Sequence, residues 1–495
     1  VETGEALIRA VDISPSVWWN DPGTMTTWNR RSFLQSLTML PAGGAPPAAK
    51  GVAGPKHKIV LVGAGSAMFT QGIVVDWLRR RPREDWEIAL VDINPEILAA
   101  TEKLVRRYML AADHPAKITA TTERREVLAG ATTVICTIGV GSRRAWEQDV
   151  FVPRKHGIFQ PVGDSVMPGG VSRSMRMIPP MIAIAEDAAR LCPEALFVNY
   201  SNPMTAIMHA LRKHTSVPAI GLCIGTDSTL RSLARMADAP FETVTARWAG
   251  VNHLTWIHDL RSDGVDLWPK LRGIVARRRG ASNLRHPFCW ELFDQFGAWP
   301  GPSDNHAVEF FPERFPNGRY YGKTLGVDAY SFEETIARGD KIYAETIELA
   351  KGDGPIDKAT LATQMAGGTG GGEHVQCLDI LDSIRHDRRR WYSVNAPNRG
   401  TVPNLPGDAI LESPAIAAAE GLLPVSIGEL PPAITAILLR RFAAVEATVE
   451  AAVTGNRKLM VEALILDGGV PDYSVAGKLT DELIQAQQQH LPQFG

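Results

Sequence analysis

KIVLVGAGSAMFTQGIVVDWLRRRPREDWEIALVD, residues 58–92, decides the fold. Lys58 to Gly63 is a short, β-branched apolar run of the kind buried on both faces of a parallel sheet. The glycine-rich GAGSAMFTQG follows, then the amphipathic IVVDWLRRR, so the order is strand, tight turn, helix. Gly63 permits the turn, and Gly65 lets backbone amides approach a pyrophosphate at the helix N-terminus. Met68 stands where the full fingerprint has a third glycine. The second strand, WEIALVD, ends at Asp92, placed to accept from ribose hydroxyls. A carboxylate there would repel a 2′-phosphate, which favours NAD over NADP. Gly63, Gly65, Ser66, Ala67, Asp92 and Asn94 are the candidate cofactor contacts. A helix over 95–111, a strand at KITATT and another apolar strand, TTVICTIGVG, continue the βαβ alternation. The pattern predicts an α/β fold with a Rossmann-like, doubly wound parallel sheet. The same sheet without a nucleotide stays open as an alternative.

Upstream, residues 26–35 read TTWNRRSFLQ, and a short, mildly apolar stretch, SLTMLPAGGAPPAA, comes next. Paired arginines before such a stretch resemble a bacterial twin-arginine export signal, with Ala45, Ala48 and Ala49 suited to a signal peptidase. Residues 1–57 are thus expected to be upstream sequence, signal and linker, with a natural start at Met25 and a destination in the periplasm or outside the cell. An ordinary arm that happens to contain Arg-Arg, on a cytoplasmic protein, is the alternative. The 495 residues are 45% hydrophobic and 21% charged, ordinary for a globular chain. A net charge of −2 gives nothing global to attract nucleic acid or an anionic membrane. Five cysteines in this length make no disulfide framework. No apolar run is long enough for a transmembrane helix.

Four later segments are not explained by core packing: GIFQPVGDSVMPGGVSRSMRMIPP (157–180), LFVNYSNPM (196–204), IGLCIGTD (220–227) and AGVNHLTW (249–256). Ligands of open α/β sheets bind beyond the carboxyl ends of strands, where Asn202 and Cys223 are expected. One thiolate and one imidazole, from Cys223 and His253, suit a borderline divalent metal with open positions. Taken singly, Cys223 reads as a core cysteine and His253 as a hydrogen-bonded loop histidine.

At this point the chain resembles glycoside hydrolase family 4, the NAD- and metal-dependent glycosidases. The matches run in order over residues 58–470: GAGSAMFT, VDINPE, DVFVPRKHG, PGG with SMRMIP, NYSNPM, Cys223, GVNHLTW, PSDNHAVEFFP, GGEH, PNRGTVPNLPGDAILESP, IGELPP and VEAAVTGNRKLMVEALILD. The family is an exception among glycosidases that use two carboxylates. The resemblance implies that NAD takes hydride from the sugar C3, which acidifies the C2 proton. A divalent metal, usually manganese, stabilises the enediolate; the C1 bond leaves by elimination, water adds, and the hydride returns. It further implies Cys223 and His253 as metal ligands, Asn202 as a sugar contact, and Asp304 as the base at C2, with a solvated loop aspartate as the plain alternative. His306 and Glu309 share the Asp304 segment, where a local structural role is as reasonable.

The chain also departs from the family. Ile224 follows the metal cysteine where several branches carry a polar residue, so a general acid is sought at Asp227 or Asp164, or is absent altogether. Gly163-Asp164-Ser165 replaces a Gln-Glu-Thr. Trp146 stands where phospho-sugar branches carry an arginine; it suits stacking on a sugar face or simple core packing. An exported enzyme would not meet sugar phosphates, so an unphosphorylated glycoside, or a uronide, is expected. The predicted organisation is a dinucleotide-binding domain over 58–226 and an α+β domain over 227–495 that resembles the C-terminal part of lactate and malate dehydrogenases. That second part is expected to carry substrate, metal and oligomer contacts, in a homodimer or homotetramer. Helices are expected at 228–238, 331–352, 434–453 and 456–466. Cys136, Cys192, Cys289 and Cys377 read as core thiols. Trp290, Trp299 and Trp391 read as cleft or core, 366–374 as a flexible loop and RHDRRRWY (385–392) as a solvated face. Two other functions stay in view: an NAD-dependent sugar dehydrogenase or 3-keto-glycoside lyase, and an inactive NAD-binding partner protein.

Overall fold

A computed structural model describes residues 57–66, 69–79, 86–114, 116–278, 284–365, 375–470 and 472–495. The expected export signal, Ala67 and the loop 366–374 lie outside the described residues. Strands β1 (His57–Val62), β2 (Trp86–Val91), β3 (Lys117–Thr121), β4 (Thr133–Cys136), β5 (Leu196–Asn199) and β6 (Ala219–Gly221) pair in parallel. Their order, β3-β2-β1-β4-β5-β6, is that of a doubly wound dinucleotide-binding sheet. The run IVLV explains why β1 is central. Val60 and Val62 enter the core on one face of the sheet, and Ile59 and Leu61 enter the core on the other.

The helices follow from local signals. Helix Pro95–Ala112 starts on Asn94, whose side chain accepts from the N–H groups of Glu96 and Ile97, and has a proline in its first turn. It ends on left-handed Asp113. Helix Pro432–Thr454 stops at Gly455, also left-handed. Helix Phe332–Lys351 starts on Ser331, which caps the N–H of Glu334. Helices Gly225–Met236 and Arg457–Asp467 occupy the other two expected stretches.

Beyond β6 come β7 (Val244–Val251), β8 (Leu254–Ser262), β9 (Val265–Asp266), β10 (Trp299–Gly301), the small pair β11 (Arg319–Tyr320) and β12 (Lys323–Thr324), then β13 (Arg390–Pro397), β14 (Ile410–Ala418) and β15 (Gly421–Pro424). The expected division at 226/227 falls inside helix Gly225–Met236, and the sheet runs on across it. The edge of β6 accepts β13 antiparallel, through the pair Gly221 and Asn395, and β14, β7, β8 and β10 continue the sheet. An unpaired β6 edge would leave a row of exposed backbone donors and acceptors, which β13 satisfies. The described residues accordingly form one compact unit. Trp290 and Trp299 pack in a core cluster with Phe293, whereas Trp391 is 47% exposed. Cys136, Cys192, Cys289 and Cys377 are buried. In the basic run, Arg388, Arg389 and Arg390 pair with Asp382, Asp387 and Asp379 at the surface. Among the described residues, no helix is long and apolar enough to cross a membrane.

Candidate functional site

The turn after β1 is shaped for a close approach. Gly63 has φ +90°, and a Cβ there would lie 2.8 Å from the backbone of Thr137 and Ile138. A Cβ on Gly65 would meet Ile97 Cγ2 at 2.7 Å and Asp92 Oδ2 at 2.8 Å. Asp92 Oδ2 accepts the N–H of Gly65 at 2.8 Å, and its Oδ1 accepts the N–H of Asn94 at 2.9 Å. Asp92 therefore links the glycine turn to the next helix, and Asn94 is that helix's cap. Ser66 Oγ accepts from Phe69 N–H at the head of helix Thr70–Arg79. Ile93, beside Asp92, is 89% exposed.

The chemistry-bearing cluster is built from three distant segments. His253 is the second residue of the two-residue turn joining β7 and β8, since Val251 pairs directly with Leu254. It holds φ +68°, a conformation uncommon outside glycine and one that collects at functional sites. Asp164 comes from the loop before helix Met167–Leu191, and His306 from helix Asp304–Phe310. One donor atom each of Asp164, His253 and His306 lie within 4.8 Å of one another. The two imidazole rings are 4.0 Å apart. Ser165 Oγ bridges Asp164 Oδ1 at 2.8 Å and His253 Nδ1 at 2.9 Å.

Asn202 Nδ2 donates to Asp164 Oδ2 at 2.9 Å, and Arg173 Nε donates to the Asn202 carbonyl at 3.0 Å. Asn202 thus joins the cluster from the end of β5. Burial acts to raise the Asp164 carboxyl, but His253, His306 and Arg173 outweigh it and hold it below its usual value. Burial, with His253 alongside, pulls the His306 imidazole down to about 3. It is neutral at physiological pH, the form that binds metal.

Cys223 stands at the end of β6, where its Sγ accepts the N–H of Gly225 at 3.3 Å. It is not one of the three groups within 4.8 Å. A Cβ on Gly225 would sit 3.2 Å from Pro302 and 3.4 Å from Cys223 Sγ. Pro302, in the segment that leads to His306, therefore packs close to Gly225 in the turn after Cys223. The Cys223 carbonyl accepts from Gln376 Nε2.

Three other expected residues have different surroundings. Asp304 is fully buried and accepts from the N–H groups of Phe288 and Cys289, both at 2.9 Å, and from the Tyr320 hydroxyl at 2.6 Å. These donors hold it as an anchor among aromatic side chains, and a proton acceptor for a substrate would have to give them up. Asp227 is paired with Arg231 on its own helix at 2.7 Å and is not part of the cluster. Trp146 donates from Nε1 to the Val162 carbonyl at 2.8 Å, meets Phe332 edge-on, and carries Arg173 over its ring at 5.5 Å. It supports the loop that ends in Asp164. Glu309 does the same from the other side: its Oε1 accepts from the N–H groups of Val162 and Gly163. Burial pushes the Glu309 carboxyl well up, against the two amides. His306 is the member that sequence reasoning undervalued. Its spacing from Asp304 puts the two on different faces of one short helix, so only one could face His253.

Comparison with known proteins agrees in extent with this architecture. The description "Family 4 glycosyl hydrolase" matches residues 58–239, and its C-terminal domain matches 248–470. An alpha-glucosidase of Erwinia rhapontici is 32% identical over 461 residues, covering 87% of this chain and 98% of the relative. An alpha-galacturonidase of Bacillus subtilis (strain 168) is 28% identical, with 87% and 98% covered. A 6-phospho-alpha-glucosidase from gut microorganisms, crystallised with NAD and Mn2+, shares the fold at TM-score 0.76 and 18% identity, with 89% of this chain and all of that one covered. The chain belongs to family 4 of the glycosyl hydrolases, and it is a glycoside hydrolase by that membership.

Proposed function

We propose that this protein hydrolyses the glycosidic bond of an unphosphorylated glycoside or uronide through transient oxidation of the sugar, using NAD and a divalent metal, manganese above all. The observation that carries the reading is the convergence of Asp164, His253 and His306 beside Asn202, beyond the carboxyl ends of the parallel strands. The residues fit both groups. The turn at Gly63 and Gly65 is a cradle that any Cβ would fill. A carboxylate and two imidazoles form a donor set suited to Mn2+ or Zn2+, with the turn after Cys223 packed close to Pro302. When bound, NAD would accept and return a hydride while the metal polarised the sugar oxygens.

The remaining work belongs to the chain. Asp92 keeps the glycine turn open and leaves lone pairs for ribose hydroxyls. Asn202, steadied by Asp164 and Arg173, presents its amide to sugar hydroxyls. Neutral His306 accepts hydrogen bonds or metal without needing to lose a proton first. Trp146 and Glu309 hold the Asp164 loop in register. Two points support the unphosphorylated substrate. Trp146 stands where an arginine would be needed for a phosphate, and the Arg30-Arg31 leader reading sends the protein where sugar phosphates do not occur. Export by the twin-arginine route and assembly as a homodimer or homotetramer are parts of the same proposal.

The test is a panel of nitrophenyl glycosides and uronides, assayed with NAD, Mn2+ and a reductant, in deuterated water. Hydrolysis with deuterium entering C2 and no net NADH is expected. Hydrolysis that runs undiminished after NAD removal and chelation would overturn the reading. One observation favours a second reading. Ile224 follows Cys223, and Asp227 is committed to Arg231, so neither supplies an acid for the leaving oxygen. A dehydrogenase or 3-keto-glycoside lyase would need none there. It would show stoichiometric growth at 340 nm with a sugar, or cleavage of keto-glycosides alone.

A further inference from the structure

Glu412 lies on β14, inside the segment PGDAILESP, and is 1% exposed. Its partners come from three parts of the chain. Oε2 accepts from Asn252 Nδ2 at 2.9 Å, and Oε1 accepts from Thr226 Oγ1 at 2.6 Å and Ser393 Oγ at 3.3 Å. Among the described residues no lysine or arginine pairs with it. A buried carboxylate served only by neutral donors is costly to keep, and an apolar strand residue would pack there without that cost. What the carboxylate does is join two places. Asn252 is the first residue of the turn whose second residue is His253, and Thr226 is three residues beyond Cys223. The turn is tied at one more point, where Asn252 N–H donates to Thr205 Oγ1 at 3.2 Å.

We propose that Glu412 is a positioning residue: its hydrogen bonds to Asn252 and Thr226 fix the His253 turn against the Cys223 strand end and so set the aim of the site's donors. The inference rests on the metal reading above. His253 sits in an unfavourable left-handed conformation, which persists only when its surroundings hold it. Asn252 is the adjacent residue, and its amide is oriented by the need to donate to Glu412. Its Oδ1 has no hydrogen-bond partner among the described residues, although the side chain is buried and lines a cavity of about 30 Å³ together with Ser165 and Thr205. That geometry gives the substitutions distinct outcomes. In Glu412→Gln the new amide can still accept from Thr226 and Ser393 through its oxygen. Asn252 can then turn over and offer its idle Oδ1 to the new N–H group. Glu412→Ala offers nothing to either side.

The experiment measures Mn2+ binding to the whole folded protein by electron paramagnetic resonance, with melting temperature recorded for each variant. Partners that orient a metal ligand are typically worth 10–100-fold in affinity. E412A is expected to bind Mn2+ about 10–100-fold more weakly, and E412Q to stay close to the parent. Equal affinity in E412A overturns the proposal. E412Q as weak as E412A also overturns it, because the effect would then belong to the charge and not to the bonds. Should E412A fail to fold, Asn252→Ala removes the same tie and is read the same way. If the parent protein takes up no Mn2+, the metal reading falls by itself. The Glu412 inference is then read from the His253 imidazole signal in NMR: a shift in E412A that E412Q lacks upholds it, and no shift overturns it.

Discussion

At the scale of single residues, the site is decided by which polar groups already have partners. Asp304 is the clearest case, because sequence and surroundings point to different roles. Its carboxylate receives two backbone N–H groups and one tyrosine hydroxyl. Asp304→Asn would turn an NH2 group against one of those donors and leave it unsatisfied, at about 1–3 kcal/mol. Loss of stability of that order, with turnover of the folded fraction retained, is the expected result in urea melts and assays run together. An unchanged melt with activity reduced by orders of magnitude would restore Asp304 as the base. The sequence could not settle this, since PSDNH offers both Asp304 and His306 and the helix phase decides which faces His253. His253, Asn202 and Asp164 were legible because they lie at strand ends or in glycine-rich loops, where side chains are spent on ligands more than on packing.

At the scale of elements, the dinucleotide half was legible almost throughout. Its strands are local apolar runs, and its helix Pro95–Ala112 carries its own cap at Asn94; the C-terminal helices that were expected are likewise marked by Ser331 and Gly455. The antiparallel half was not, because β7 pairs with β14 and β13 with β6, far away in sequence, and no local pattern names those partners. The segment GVNHLTW read as a chemical loop and is a hairpin tip. Two predictions belong to this scale. In Gly65→Ala the new methyl would press on Ile97 and on Asp92. NAD affinity, followed by quenching of tryptophan fluorescence, is expected to fall at least tenfold, about 1.4 kcal/mol; unchanged affinity would mean that no nucleotide rests on this turn.

The second concerns the short helix Arg125–Leu128, which is fastened to Met167–Leu191 by Asp187. Arg124, Arg125 and Arg190 converge on that carboxylate. Burial works to raise Asp187, and the three arginines outweigh it and hold it below its ordinary 3.8. A depressed carboxyl stabilises the fold above the unfolded value, and that contribution disappears as pH falls through the folded one. Urea midpoints of the parent should therefore decline below about pH 4 more steeply than those of Asp187→Asn, which should already be lower at neutral pH. Parallel curves would show that the triple pairing contributes nothing.

At the scale of the molecule, the question is whether the two halves matched by the family description are separable bodies. The sheet argues that they are not, since β13 uses the edge of β6 and the strands beyond it hang on that pairing. The cores argue the same way. Val449, Ala452, Met460, Leu464, Leu479 and Leu483 from the C-terminal helices are buried in one cluster with Met175, Ile178, Phe197 and Ile207 from the dinucleotide half. A segment of residues 227–495 would carry that apolar face uncovered and β13 with an open edge, both hazards for association. Expressed alone, it is expected to aggregate or to lack a cooperative melt, whereas residues 52–495 should unfold in one transition. Hydrogen exchange gives the finer test: amides of β1 and of β7 should lose protection together, because opening either half exposes the shared core. A C-terminal segment that folds by itself, with β7 protected as in the whole protein, would show that the halves merely touch. His253 and Asn202 would then be brought together by docking and not by one continuous sheet.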